Sequence, residues 1–408
     1  MTPNTPPQPS RSSAPEQTSV IQQRIEVAFA YDVHFTSNVF HPRNELLADS
    51  LTAATPKRPA RALVYVDDGL AEAHPTLTNR IKEYFHARGD RLELAAPPQT
   101  VPGGEDAKNS WDTVRDILWT AGSVHLDRQS TIVAVGGGSV LDMVGFAASV
   151  IHRGVRLVRI PTTTLAQNDA GIGVKNGMNE HGQKNFVGTF APPLAVINDR
   201  EFLPTLTQRD WLGGVAEAFK VAIIRDRALL EMLQQSGPAL VNRDLDVMAE
   251  VVRRCAELHL EHIRTSGDPF EFGSARPLDF GHWAGHKLEV LSGYRLGHGQ
   301  AVSIGIALDS CYAQRTGLLN SDELEQIVSA LEACDLPTWS ALLDSTDQAG
   351  RPALLGGLED FREHLGGVLT ITLPDGIGRK IEVHEMDPSA IRDGIDWLRA
   401  RDQRRNAK

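Results

Sequence analysis

Residues 131–188 read TIVAVGGGSVLDMVGFAASVIHRGVRLVRIPTTTLAQNDAGIGVKNGMNEHGQKNFVG. The apolar, partly β-branched run from Thr131 has the character of a buried strand; the chain breaks at Gly136, Gly137 and Gly138, and apolar residues resume from Val140 at helical spacing. The predicted unit is strand, glycine turn, helix. Glycines let the backbone approach a pyrophosphate closely, and the unpaired amides that open a helix favour an anion there. A tight turn that holds no ligand has the same sequence, so the motif alone leaves both alternatives open. A second predicted strand, Val155 to Ile160, runs into Pro161, Thr162 and Thr163. A glycine-spaced loop carrying Asp169, Lys175, Lys184 and Asn185 follows, and lysines among glycines suit a phosphorylated substrate.

GGGSVLDMVGF, HRGVRLVRIPTTTLAQNDAGIGVKNGMN and GQKNFVGTFAPP resemble, in order and spacing, the core of the sugar phosphate cyclases, the family of 3-dehydroquinate synthase and its relatives. The similarity continues through GGVAEAFK, LDFGHWAGH and GHGQAVSIG, from about Ala62 to about Leu308. It implies an α/β N-terminal nucleotide-binding domain followed by a mainly α-helical C-terminal metal-binding domain.

Composition bounds the reading independently. A chain of 408 residues buries a large core and suits two domains better than one. Its formal charge of −11 disfavours nucleic acid and anionic membrane as partners, so a phosphorylated substrate needs a local basic pocket. Cys255, Cys311 and Cys334 have neither metal nor redox spacing, which points to a reducing compartment. Without a membrane-length apolar run or a signal-peptide core, the expectation is a cytoplasmic protein.

Residues 1–22 are rich in proline, serine, threonine and glutamine and are expected to be disordered. Arg24 to Phe40 alternates apolar and polar residues and predicts an edge strand or hairpin arm. Arg61 to Val66 predicts a strand that ends at Asp67 and Asp68. An acid there can bind a ribose hydroxyl, or cap the next helix. The usual dinucleotide fingerprint places its acid downstream of the glycines, whereas here the acid lies upstream, a departure the cyclases share. Glu105 and Lys108 are expected at the start of a helix, where Glu suits the positive end. From Pro204 onward, residues 210–224, 229–240, 245–263, 282–291 and 301–316 carry helical apolar spacing. The expected division is thus an α/β NAD-binding domain over 23–203 and a helical metal and substrate domain over 204–398. A late pair of extended pieces surrounds a glycine turn in LTITLPDGIGRKIEVHEMD, and residues 399–408 are expected to fray.

Glu217 and Lys220, three apart, share a helix face. That spacing is common in solvated surface pairs, but the surrounding residues are apolar, and His282, His286 and His298 follow in glycine-rich context. Spacing alone would let His282 and His286 bind one metal. The resemblance instead implies Glu217, His282 and His298 as the ligands of one divalent metal, zinc or cobalt, with His286 beside them in a catalytic role. It further implies NAD contacts from Asp67, Glu105, Lys108, Gly136, Gly137, Gly138, Asp142, Thr162 and Thr163. Arg153, Lys175 and Asn185 match phosphate-holding positions, Lys220 a phosphate or hydroxyl contact, and Asp169 and Lys184 the metal-side hydroxyls. The implied reaction oxidises one hydroxyl of a sugar phosphate, eliminates phosphate, reduces the ketone and closes a carbocycle, regenerating NAD each turnover. A homodimer is expected.

The choice of substrate rests on departures from 3-dehydroquinate synthase. That enzyme binds a substrate carboxylate with a lysine ahead of the GH-x-x-GH segment, yet no lysine lies between Lys220 and Lys287. Asp279 stands where it has asparagine, as in cyclases that use sedoheptulose 7-phosphate, and an acid there repels a carboxylate while accepting bonds from hydroxyls. His286 and Arg276 favour 3-dehydroquinate synthase instead, and Gln300 replaces the usual glutamate after His-Gly. A carboxylate-free heptulose phosphate is the favoured substrate, with 3-dehydroquinate synthase as the alternative. An NAD- and metal-dependent alcohol or polyol dehydrogenase, or a non-catalytic relative, is the reading from another class.

Overall fold

The structure, a computed structural model, describes residues 20–53, 55, 58–265, 278–364 and 367–407. Most of the expected N-terminal tail and Arg276 therefore lie outside the described residues. Residues 20–30 carry no helix or strand. Residues 31–408 form one compact unit, described from here on.

The first half alternates strand and helix: β1 (Asp32–Thr36), α1 (Leu46–Ala53), β2 (Ala60–Asp67), α2 (Asp68–Ala73), α3 (Leu77–His86), β3 (Leu92–Leu94), β4 (Gln99–Val101), α4 (Asp112–Ser123), β5 (Thr131–Gly136), α5 (Gly138–Val150) and β6 (Arg156–Pro161). A hairpin of β7 (Lys175–Glu180) and β8 (Gln183–Phe190) precedes β9 (Ala195–Asp199). The main sheet is parallel in the order β1-β9-β6-β5-β2-β3, with β4 pairing β2 beyond β3. β5 and β9 are buried at every position because helices cover both faces, which explains why these strands read as continuous apolar runs. One face packs on α1 and α3 through residues such as Leu51, Ile81 and Phe85; the other packs on α4 and α5 through Ile117, Leu141 and Val144.

The second half is helical: α6 (Gln208–Arg225), α7 (Arg227–Val241), α8 (Leu245–Thr265), α9 (His282–Leu291), α10 (His298–Arg315), α11 (Ser321–Ala333) and α12 (Gly356–His364), then the hairpin β10 (Ile371–Pro374) and β11 (Lys380–Val383), and α13 (Pro388–Asn406). α6 is buried along nearly its whole length and forms the axis of this core. Thr207 opens it by accepting the Asp210 amide at 3.2 Å. Among the described residues no helix is long and apolar enough to cross a membrane. Cys255, Cys311 and Cys334 are all buried and free.

Several expectations need correction. Of Arg24 to Phe40, only Asp32–Thr36 becomes a strand, at the sheet edge, because only those residues find a ladder partner, in Ala195–Asp199. Lys175, Lys184 and Asn185 do not sit in a loop: their alternating residues pair as the β7–β8 hairpin. Glu105 and Lys108 occupy a separate 3₁₀ turn, Glu105–Asn109, ahead of α4. Residues 399–406 continue α13 instead of fraying, since Arg401 bonds Glu325 and Glu332 and Arg399 bonds Asp344.

Candidate functional site

The carboxyl ends of β5 and β6, the β7–β8 hairpin and the facing ends of α6, α8, α9 and α10 supply the residues that the sequence singled out. On the sheet side, β5 ends in the glycine turn and α5 begins at Gly138. A side chain at Gly136 would come within 2.9 Å of the Val140 side chain and 3.0 Å of Asp67 Cβ, so only glycine fits that corner. Asp67 accepts the Leu70 amide at 3.1 Å and caps α2, yet a Cβ on Gly103 would also fall 2.6 Å from its Oδ2. The cap and the position beside the glycine turn are thus both realised. Burial and the neighbouring Asp68 raise its pKa against three backbone amides. Thr163 accepts the Ala166 amide at 3.1 Å, and Thr162 is buried beneath the turn.

Glu105, Lys108 and Asp142 form one network. The buried Lys108 ammonium donates to Asp142 at 2.8 Å and to Asn185 Oδ1, while Asn179 donates to Glu105 at 3.0 Å. Residues expected at the dinucleotide are thereby tied to Asn185, expected at the substrate. Burial raises the Asp142 pKa, with Lys108 opposing.

The helical side holds a second, denser cluster. Glu217 is fully buried on α6, and its Oε1 lies 3.5 Å from His282 Nε2 and 3.3 Å from His298 Nε2. These three residues offer ligand atoms within 4.8 Å of one another. Each histidine is aimed by its other nitrogen: His282 Nδ1 bonds the Phe280 carbonyl at 3.1 Å, and His298 Nδ1 bonds Glu289 Oε2 at 3.1 Å. That pairing keeps the proton on Nδ1 and turns both Nε2 lone pairs toward Glu217, the outer-shell arrangement of a metal-binding histidine. Glu217 Oε2 pairs with Lys220, whereas the buried Oε1 faces the two Nε2 atoms without a conventional hydrogen bond, and an acceptor so placed fits a cation between the three groups. Burial opposes charge on His298, but Glu217 and Glu289 outweigh it and push its pKa up to about 10, so the point demands positive charge. Burial is likewise overcome at Glu217, where Lys220 and His282 hold the carboxyl well below its usual range.

Lys220, on the same face of α6, pairs with Glu217 and, at 3.1 Å, with Asp169 Oδ2. Asp169 Oδ1 lies 3.2 Å from His259 Nδ1, which brings α8 into the cluster. Asp279 has a buried Oδ2 without a hydrogen-bond partner, just ahead of His282. Gly281 between them adopts φ 78°, and a Cβ there would strike Ile306 N at 2.7 Å. Asp309 holds this bend by accepting Gly281 N at 3.0 Å and Trp283 Nε1 at 2.8 Å.

The structure separates some of the expected residues. Arg153 is exposed on the turn before β6, at the strand's amino end, whereas the cluster gathers at carboxyl ends; it does not join the site within this chain. Lys175 opens β7 with an exposed side chain. His286 does not share a metal position with His282 and Glu217. Its ring lies 5.2 Å from that of His282 and stacks 5.8 Å from that of His298. Glu289 and His259 were missed by the sequence reading. Glu289 was findable, because it falls seven residues after His282 on the same helix face; His259 carried no comparable signal. Gln300 bonds Gly297 N, so Glu289 takes the role behind His298.

Residues 98–213 match the family described as 3-dehydroquinate synthase N-terminal, and residues 214–351 match 3-dehydroquinate synthase C-terminal. A 2-epi-5-epi-valiolone synthase of Streptomyces albus is 31% identical over 376 residues, 90% of this chain and 88% of that protein. A 3-dehydroquinate synthase of Acidithiobacillus ferrooxidans is 32% identical over 362 residues, 88% of this chain and 95% of that protein. Among solved structures, ValA, the 2-epi-5-epi-valiolone synthase of Streptomyces hygroscopicus subsp. jinggangensis 5008 with NAD+ and Zn2+ bound, superposes with a TM-score of 0.82 at 29% identity, covering 93% of this chain and 99% of that one. With a parallel sheet that ends in a glycine turn, a helical half that gathers one carboxylate and two imidazoles, and relatives matching nearly end to end, the chain belongs to the 3-dehydroquinate synthase family.

Proposed function

We propose that this protein is an NAD- and divalent metal-dependent sugar phosphate cyclase whose substrate is a heptulose phosphate lacking a carboxylate, with sedoheptulose 7-phosphate the favoured candidate. Glu217, His282 and His298 hold the metal, zinc or cobalt. The glycine turn with Asp67, Glu105, Lys108, Asp142, Thr162 and Thr163 holds NAD. The observation that carries this is the convergence of two Nδ1-anchored imidazoles on Oε1 of the buried Glu217. When bound, the metal and NAD supply hydroxyl polarisation and reversible hydride transfer.

The chain's own residues bind and steer. Lys220 has three N–H donors, of which Glu217 and Asp169 take two, leaving one for a substrate hydroxyl or phosphate oxygen. Lys184 and Asn185 on the hairpin offer N–H donors to an anionic substrate in a chain whose net charge is −11. His286 is exposed beside two other imidazoles, and its neutral ring can accept a proton from a substrate hydroxyl. Asp279 supports the carboxylate-free substrate, because an acid three residues ahead of His282 adds negative charge that repels a carboxylate.

The alternative, 3-dehydroquinate synthase, is favoured by the presence of His286 and by relatives of that name at 32% identity. Phosphate release with sedoheptulose 7-phosphate and with the 3-dehydroquinate precursor, run side by side, separates the two. NADH that accumulates in proportion to substrate, without phosphate release, would point instead to a dehydrogenase. A homodimer is part of the proposal, and light scattering at a mass near 44.5 kDa would remove it.

A further inference from the structure

Glu289 is nearly inaccessible, with 5% of its side chain exposed, and each of its oxygens serves a different partner. Oε2 accepts His298 Nδ1 at 3.1 Å, whereas Oε1 accepts Lys184 Nζ at 2.9 Å. His298 opens α10, and Lys184 belongs to the β7–β8 hairpin, over 100 residues earlier in the chain. Lys184 is further steered by the Tyr294 ring, 5.2 Å from its ammonium. His286, Glu289 and His298 also bring ligand atoms within 4.8 Å of one another. A second cation there would have to displace Lys184, which already neutralises Glu289.

We infer that Glu289 is a positioning residue that couples the metal ligand His298 to the substrate-side Lys184 through one shared carboxylate, an inference that rests on the metal site proposed above. The chemistry of the carboxylate makes this testable. Glutamate presents two acceptor oxygens, one for each donor. Glutamine presents one acceptor and one donor group, so His298 Nδ1–H and Lys184 Nζ–H must compete for a single oxygen. The amide would then either leave His298 without its anchor or turn an N–H toward the Lys184 ammonium.

The experiment measures the zinc dissociation constant of the full chain by chelator competition in wild type, Glu289→Gln, Lys184→Met and the double variant. Glu289→Gln should weaken zinc tenfold or more, in the range that outer-shell partners contribute. Lys184→Met alone should stay within threefold, since Glu289 keeps an oxygen for His298. The double variant should bind zinc at least threefold more tightly than Glu289→Gln, because removing the competing ammonium returns the amide oxygen to His298. A merely structural role in α9 packing would not give that recovery. Zinc affinity of Glu289→Gln within twofold of wild type, or a double variant no tighter than Glu289→Gln, overturns the coupling. If Glu289→Gln does not fold, Glu289→Met takes its place: it keeps the length of the side chain and offers no oxygen to His298, and zinc affinity within twofold of wild type there overturns the coupling equally. His282→Ala separates the two levels. Wild-type zinc affinity in that variant removes the metal site itself; lost affinity there together with unchanged Glu289 variants removes the coupling alone.

Discussion

Replacing Glu217 by glutamine keeps the shape of the side chain and deletes its charge at a fully buried point. Two consequences follow from its neighbours. Without metal, Lys220 loses one of two carboxylate partners and keeps Asp169 at 3.1 Å. The loss should fall at the low end for a broken buried pair, about 3 kcal/mol. With metal at a thousandfold excess over its dissociation constant, the wild-type protein gains about 4 kcal/mol. Outer-shell partners alone are worth tenfold to a hundredfold in metal affinity, so deleting a direct ligand should cost at least about a hundredfold. The variant then gains no more than about 1.4 kcal/mol from the same metal concentration. The assay is urea unfolding followed by tryptophan fluorescence, since Trp211 and Trp283 are buried in the helical core. Each protein is unfolded once in chelator and once in excess zinc. The expected zinc-induced stabilisation differs between the two by about 3 kcal/mol. Equal zinc stabilisation in both proteins would refute the placement of Glu217 in the metal site.

Asp309 titrates with a defined sign. Burial raises its pKa from 3.8 to about 7, against hydrogen bonds from Trp283 and Gly281. The unfolded chain gives up this proton near pH 4, while the folded protein keeps it until about pH 7. Folding stability therefore falls as pH rises across that window, by about 4 kcal/mol for the roughly three-unit shift. The difference in unfolding free energy between wild type and Asp309→Asn should shrink from pH 4.5 to pH 7 and then level off; a difference independent of pH would contradict this. Gly136→Ala drives a methyl group into Val140 and Asp67, which should cost about 1–3 kcal/mol and weaken NAD binding. Titration calorimetry showing unchanged NAD affinity would separate the glycine corner from the dinucleotide. Asp279→Asn should raise kcat/KM for the carboxylate-bearing precursor relative to sedoheptulose 7-phosphate, and an unchanged ratio would remove Asp279 from substrate choice.

Much of this was legible in the sequence because it depends on local periodicity. The strand before the glycine turn and the helix after it appear where the apolar pattern puts them, as does α9 at His282–Leu291. Extended segments were harder. Whether Arg24 to Phe40 or Lys175 to Asn185 pairs depends on a partner elsewhere in the chain, which alternation cannot locate. Within the site, Glu217 and the two imidazoles were named in advance by resemblance, and the structure supplies the Nδ1 anchors that aim them. His259 could not be read, because only the fold of α8 against the 166–170 turn brings it to Asp169. Arg153 shows the converse: a position that matches the family's motif, delivered to the far end of a parallel strand.

Anomalous diffraction at the zinc edge, from crystals of the protein grown with zinc, tests the central claim most directly. One strong peak within bonding reach of Glu217, His282 Nε2 and His298 Nε2 is the result the account predicts. A peak held instead by His286 and Glu289, or no ordered zinc between α6, α9 and α10, would contradict it.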